Sequence, residues 1–342
     1  MRLGSADASL GPNDVPAGSD AHPGAHAQPG AHAQPGTHAQ PGAHAHSRAG
    51  ESSGAPAVGI IGAGPVGMAL GLAISRAGWP VTAVASRDPG RRERFKGLVP
   101  SASVFTEPAA VLNEVDLAIL AVPDDAIPAI VEPLRLYGGQ VLVHTSGLLS
   151  AEVLQPALGA GSHIGGFHPL VSFTSDVERS VRDIAGSTIA IEGDEAAMTL
   201  LASLAEAVGG VAVRLPHGSK AAYHAAAVMA SGGLIALLDA IVALGAVAGL
   251  DERGALTVYG RLIEQTLANA RAVGVSAALT GPITRGDAGT LEAHLEVLER
   301  LAPAVLDLYL SAARRELHIV EQRGVLSPER LERVGAVLAK VV

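Results

Sequence analysis

Polar residues spaced three or four apart in an apolar stretch share one face of a helix. Lys220, His224 and Ser231, on one stripe with Ala227, do so in a run that is otherwise almost wholly alanine, valine, leucine and glycine. A lysine ammonium at such a place can protonate an oxygen that is gaining negative charge, and an imidazole one turn on can hold the same substrate. Polar groups on a buried face need partners, and a cleft with a polar substrate would provide them. The alternative is that Lys220 and His224, in the first two turns, simply reach water.

Other chemistry-bearing residues lie in short polar segments. Ser146, in His144-Thr145-Ser146-Gly147, either hydrogen-bonds a substrate or caps the turn that follows. His168, before Pro169, is a second imidazole, with a structural role as its alternative. Thr280–Asp287 is a glycine-rich polar loop, in which Arg285 offers the fork that fits a carboxylate and Asp287 is a second polar candidate. Catalysis is assigned to Lys220, His224 and Ser146, and substrate binding to His168, Ser231, Arg285 and Asp287. Cysteine is absent, so thiolate nucleophiles, thiolate metal sites and disulfides are excluded. No metal is expected at this site.

A cofactor site is written at the start of the folded part. The apolar run Ala57–Ile61 leads into Gly62-Ala63-Gly64-Pro65-Val66-Gly67, and Met68–Ile74 continues as a helix. In this strand–glycine–helix pattern the first glycine makes the tight turn, the second admits a pyrophosphate and the third lets helix and strand pack. The helix N-terminus presents free N–H groups to the anion. Near the end of the second strand, where an acidic residue would accept the ribose of NAD, stand Ser86 and Arg87, with Arg91 and Arg92 behind. A guanidinium suits a 2′-phosphate, so NADP (NADPH) is the expected cofactor, with Asp88 as cap of the next helix. Val122 and Pro123, after a later strand, point towards the nicotinamide.

These residues need a scaffold, and the chain supplies an alternation of strand and helix from Ala57 to about Leu215. After Pro216 the pattern is helical throughout, and Ser327-Pro328 marks the last helix start. The expected architecture is α/β: a Rossmann domain with a doubly wound, mainly parallel sheet over 57–215, then an all-α domain over 216–342 for substrate binding and dimerisation. Residues 1–56 repeat Ala-His-Ala-Gln-Pro-Gly and lack large apolar side chains, so a disordered tail is expected. Its six histidines, His22, His26, His32, His38, His44 and His46, leave weak binding of Zn²⁺ or Ni²⁺ open.

Composition narrows the partners. A net charge of −9 with 3% aromatic residues gives no footprint for nucleic acid. No secretory signal is expected, and a cytoplasmic location fits the lack of cysteine. Ala225–Leu250 carries a single charge, Asp239, but is largely alanine and glycine among its apolar residues, so it is expected as a buried core or dimer-interface helix, not a membrane span. A homodimer acting on a small molecule is the expectation.

Together, Gly62–Gly67, His144–Gly147, Gly166–Leu170, Lys220–Ala227 and Thr280–Asp287 resemble one family. It joins a Rossmann-like domain to a C-terminal domain of formerly unknown function, within the superfamily whose C-terminal helices are similar to 6-phosphogluconate dehydrogenase. Some members act as an alternative ketopantoate reductase. The resemblance implies NADPH-dependent reduction of a small 2-oxo acid, with Lys220 as proton donor and Ser146, His224 and Arg285 orienting substrate. Related β-hydroxyacid dehydrogenases carry asparagine where His224 stands, and Ser231-Gly232 departs from the Ser-Asn of the family. His168-Pro169 also resembles prephenate dehydrogenase, so an imine or cyclohexadienyl reductase or dehydrogenase is a rival within the class. An NADP-binding sensor without turnover is a rival outside it.

Overall fold

The computed structural model describes residues 54–340. The tail expectation and its histidines lie outside the described residues, except for Gly54–Pro56. From Val58 onward, short apolar strands form one sheet. They are β1 (Val58–Ile61), β2 (Val81–Ala85), β3 (Ser103–Phe105), β4 (Leu117–Leu120), β5 (Val141–His144), β6 (His163–Pro169), β7 (Thr188–Gly193) and β8 (Val211–Arg214). The order across the sheet is β3-β2-β1-β4-β5-β6-β7-β8. Pairings are parallel except for β6 with β7, whose antiparallel register sets Gly166 opposite Glu192. β1, β4 and β5 are buried along their whole length, as expected of strands covered on both faces.

Helices cover both faces of the sheet. They are α1 (Pro65–Arg76), α2 (Pro89–Leu98), the short α3 (Pro108–Leu112) and α4 (Ile127–Val131), α5 (Val177–Ile184) and α6 (Glu195–Ala207). Ile60, Leu70 and Phe95 anchor one core layer, and Leu120, Ile127 and Leu142 the other. The strand order reverses between β1 and β4, which opens the crevice at which doubly wound sheets bind ligands.

Beyond β8 the chain is helical: α7 (Lys220–Val228), α8 (Leu234–Val247), α9 (Glu252–Val273), α10 (Val275–Ala278), α11 (Pro282–Arg285), α12 (Ala288–Leu301), α13 (Leu306–Arg323) and α14 (Pro328–Ala339). Leu291, Leu295, Val320 and Val334 form a separate core among the last of these. A five-residue π turn, Met229–Gly233, joins α7 to α8, so the single helix expected there is interrupted. The loop expected at Thr280–Asp287 contains the helical turn α11.

The expectation that the apolar run is a buried core helix does not hold. Ala240 and Gly245 of α8 are buried, whereas Ile235 is 65% and Leu237 42% exposed. The helical run Lys220–Val247, π turn included, is long and apolar enough to cross a membrane by length and composition, with 6% of its most apolar window buried. Its neighbour α9 likewise exposes Val258, Leu262, Leu267 and Val273.

Candidate active site

The glycine segment builds a cradle. Gly62 has φ 108°, and a Cβ there would overlap the carbonyl oxygen of Ala121. A Cβ on Gly67 would overlap the carbonyl oxygen of Gly62, so this glycine lets α1 lie against β1. Gly64, the N-cap of α1, has nothing within 4 Å of its Cβ direction, which leaves the helix N-terminus open. Pro65 takes the first helical position, where no N–H partner is needed. An anion of pyrophosphate size fits this arrangement.

A cavity of about 660 Å³ runs from this cradle along the crevice. Gly62, Ala63, Gly64, Pro65, Val66, Ser86, Arg87, Val122 and Pro123 all line it; Gly67 stands behind the loop. Asp88 caps α2 by accepting from the Arg91 backbone N–H at 3.1 Å. Arg92 fixes the turn by donating to the carbonyl oxygens of Ser86 and Arg87. Arg87 and Arg91 are left lining the cavity. Thr106, Glu107 and Pro108 also line it; their sequence carries no local pattern that marks them.

At the other end the cavity reaches Thr145, next to a polar cluster at the ends of β4, β5 and β6. Lys220, 4% exposed, donates from Nζ to the Ser146 carbonyl oxygen at 2.7 Å. Its Nζ lies 3.1 Å from Glu192 Oε1, an ion pair off the hydrogen-bond axis. Burial pushes the Lys220 pKa down; the charges of Glu192, Asp124 and Glu152 oppose this. The solvent-exposed alternative for Lys220 is therefore excluded.

Ser146 is an anchor. Its Oγ donates to Asp124 Oδ2 at 2.7 Å and accepts from the backbone N–H groups of Leu148 and Leu149 at 3.1 and 2.9 Å. The rings of His168 and His224 meet edge-to-face, 5.9 Å between centroids, and both point at the Gly147 backbone. Tyr223 lies edge-on to His168 at 5.8 Å. The buried atoms His168 Nδ1, His224 Nδ1 and Tyr223 Oη have no hydrogen-bond partner among the described residues. Buried polar atoms left this way carry a desolvation penalty that a polar ligand would remove.

Lys220, His224, Ser146 and His168 thus come together, while three other predicted residues do not join them. Ser231 sits exposed in the π turn, where its hydroxyl donates to the Ala227 carbonyl. Asp287 caps α12, accepting from Thr290 N–H at 3.1 Å and from its hydroxyl at 2.7 Å. Arg285 ends α11, and its carbonyl accepts from Arg330 of α14. Sequence reasoning missed Asp124, Glu192 and Tyr223. Asp124 follows Pro123 at a strand end, a place where function is expected; Glu192 in an apolar strand was the clearer signal.

His144, fully buried, shows how the cluster fixes protonation. Its Nδ1 accepts from Ser146 N–H at 3.2 Å and its Nε2 faces the Ser150 carbonyl at 3.2 Å, which requires the neutral Nε2–H tautomer. Burial, then the Lys220 charge, push its pKa down to about 4, and His168 is pushed to about 4 by the same two causes. Between these values and the ordinary 6.5 the unfolded chain binds more protons than the folded one. The stability these rings add is full above pH 6.5 and is lost as pH falls towards 4. His144→Gln retains an acceptor and a donor but cannot titrate. Its melting temperature is expected to fall less steeply than the wild type's between pH 6.5 and 4, and equal slopes would remove His144 from the acid response.

Comparisons with known proteins agree with this layout. A family model described as "Rossmann-like domain" matches residues 44–169, and one described as "Domain of unknown function (DUF2520)" matches residues 187–316. Among the curated proteins none matches. Among solved structures, a candidate NADP oxidoreductase from Bacteroides fragilis is 24% identical with TM-score 0.62, covering 76% of this chain and 97% of its own. A protein from Thermotoga maritima is 25% identical with TM-score 0.60, covering 78% and 99%. An imine reductase from a Pseudomonas species is 20% identical with TM-score 0.57, covering 82% and 99%. The two matches lie one after the other along the chain, and the second begins at Ser187, within the sheet.

Proposed function

We propose that this protein is an NADPH-dependent reductase of a small 2-oxo acid, in the manner of ketopantoate reductase. The observation that carries this is a cavity lined by the glycine cradle and Arg87 that reaches Thr145, next in sequence to Ser146, whose carbonyl holds the Lys220 ammonium. Bound NADPH would supply hydride to a carbonyl carbon. The chain's own residues do the rest. Gly62–Gly67 and the α1 N-terminus hold the pyrophosphate, and Arg87 with Arg91 receives the 2′-phosphate. Lys220 spends one N–H on the Ser146 carbonyl and faces Glu192 as a charge, so N–H remains for a substrate, and its lowered pKa makes it a better donor to the oxygen that turns into alkoxide. The neutral ring of His168 and the ring of His224 beside it hold the substrate's polar groups. Folds of this shape include an NADP oxidoreductase candidate and an imine reductase, which fits the reading.

Imine reduction is the second reading. The carboxylates of Asp124 and Glu192 surround a single ammonium, a balance that would favour a cationic C=N substrate. NADPH oxidation against paired panels of 2-oxo acids, ketopantoate included, and cyclic imines decides between them. Turnover with the 2-oxo acids is expected; turnover with imines alone would replace the first reading, and cofactor binding with no turnover on either panel would indicate a sensor. General acid catalysis is worth about 10²–10⁴ in rate, so Lys220→Ala is expected to lower kcat at least about 100-fold with cofactor affinity unchanged. Near-normal kcat would end the assignment.

Arg87→Ala tests the cofactor choice. A charge-assisted hydrogen bond of about 1.5–3 kcal/mol corresponds to about 10- to 150-fold in NADPH affinity, with NADH binding little changed. Equal losses for both would mean that Arg87 supports the turn and does not read the phosphate.

We further propose a soluble homodimer in which a second copy covers α8 and α9. A bilayer fits this pair poorly. Lys220 at one end is fixed in the buried cluster, Asp239 lies exposed in mid-helix, and α9 carries the exposed pair Arg261–Glu264. Sedimentation without detergent is expected to give the mass of two chains, and Ile235→Glu with Leu262→Glu the mass of one. A wild-type monomer under those conditions would overturn the proposal.

A further inference from the structure

We infer that Glu192 is the positioning residue of the site: its carboxylate holds the Lys220 ammonium in place against the Ser146 loop and keeps it charged. The inference rests on Lys220 being the proton donor proposed above. Glu192 lies in β7, in the apolar run Thr188-Ile189-Ala190-Ile191-Glu192, where a carboxylate without a partner would be costly. Antiparallel pairing places it opposite Gly166 of β6. A Cβ on Gly166 would stand 3.0 Å from Glu192 Oε1 and 3.2 Å from Lys220 Nζ, so the missing side chain makes the room in which the ion pair sits. The strand register, the glycine and the first residue of α7 thus converge on one contact.

Other charged and titratable groups lie around Lys220, but they are engaged elsewhere, uncharged or directed at another group. Asp124, after β4, accepts from Ser146 Oγ. Glu152, in the turn Ala151–Ala157, lies 3.3 Å from His217 Nδ1. His144 on β5 and His168 on β6 are held neutral by burial, and His224 on α7 points at Gly147. Glu192 is therefore the carboxylate in ion-pair contact with Nζ among the described residues. The pair also fastens the first helix of the helical part to the sheet, so the donor's place depends on strand register.

Lysine NMR tests this without a substrate. The chain has only Lys96, Lys220 and Lys340, so Lys220 can be assigned in ¹³Cε-labelled protein by loss of its signal in Lys220→Arg. Glu192→Gln is expected to move the Lys220 titration midpoint down by at least about one pH unit, about tenfold in proton affinity. Glu192→Asp, with its carboxylate drawn back, is expected to move it less in the same direction, and this variant carries the test if the glutamine variant fails to fold. A midpoint unchanged in either variant overturns the proposal. With the best substrate of the panels, the basic limb of the kcat profile is expected to move with the NMR midpoint while KM stays within about twofold. A shifted midpoint with an unshifted kcat limb supports the ion pair and instead overturns Lys220 as the donor, so the two failures are separable.

Discussion

A buried ammonium must be satisfied at short range, because its own desolvation is worth several kcal/mol. Lys220 meets this demand with the Ser146 carbonyl at 2.7 Å and the Glu192 carboxylate at 3.1 Å. Those two partners belong to different strand ends, and the lysine itself opens the helical part. One cation therefore joins the β5 loop, β7 and α7, and these relative positions cannot shift without stranding a charge. Removing one partner of such a pair costs about 3–5 kcal/mol in general, which is why this contact constrains everything around it.

The protonation pattern of the cluster follows from that cation. Its field, added to burial, keeps His144 and His168 neutral at ordinary pH. A neutral His144 can accept from the Ser146 backbone, and Ser146 in turn spends its hydroxyl on Asp124 and on two backbone N–H groups of its own loop. The loop is thus stiffened from several sides, and it closes the crevice end where the large cavity passes Thr145. Rigidity there suits a site that must place a reacting carbon against a cofactor to a fraction of an ångström.

The helical part is built on a different balance. Its inner core around Leu291 and Val334 is closed, yet α8 and α9 turn apolar side chains outward. Contiguous exposed apolar faces are unusual on a folded chain and mark interaction surfaces. The π turn between α7 and α8 lets the polar end of the run serve the site while the apolar end faces away.

The sequence by itself determined the cofactor cradle, the strand ends that flank it and the lysine helix. Each is encoded locally: Gly62 and Gly67 are required by backbone overlap within one strand–turn–helix, and the alternation of apolar runs sets the sheet. Residues whose neighbours are distant in sequence were not legible. Glu192 drew no reading until antiparallel pairing set it against Gly166, and Ser146 stood between substrate ligand and turn cap until the fold showed its hydroxyl accepting from Leu148 and Leu149 N–H and donating to Asp124 at 2.7 Å. Arg285 and Asp287 read as site residues from their polar loop, but packing of α11, α12 and α14 uses Asp287 as a cap and joins the Arg285 backbone to Arg330. For the apolar run the sequence left a buried core helix and a dimer-interface helix both open, since composition does not show whether a helix is covered by its own chain. Only the tertiary structure decides such questions, because strand register and helix packing fix which side chains meet, and neither is a property of a short segment.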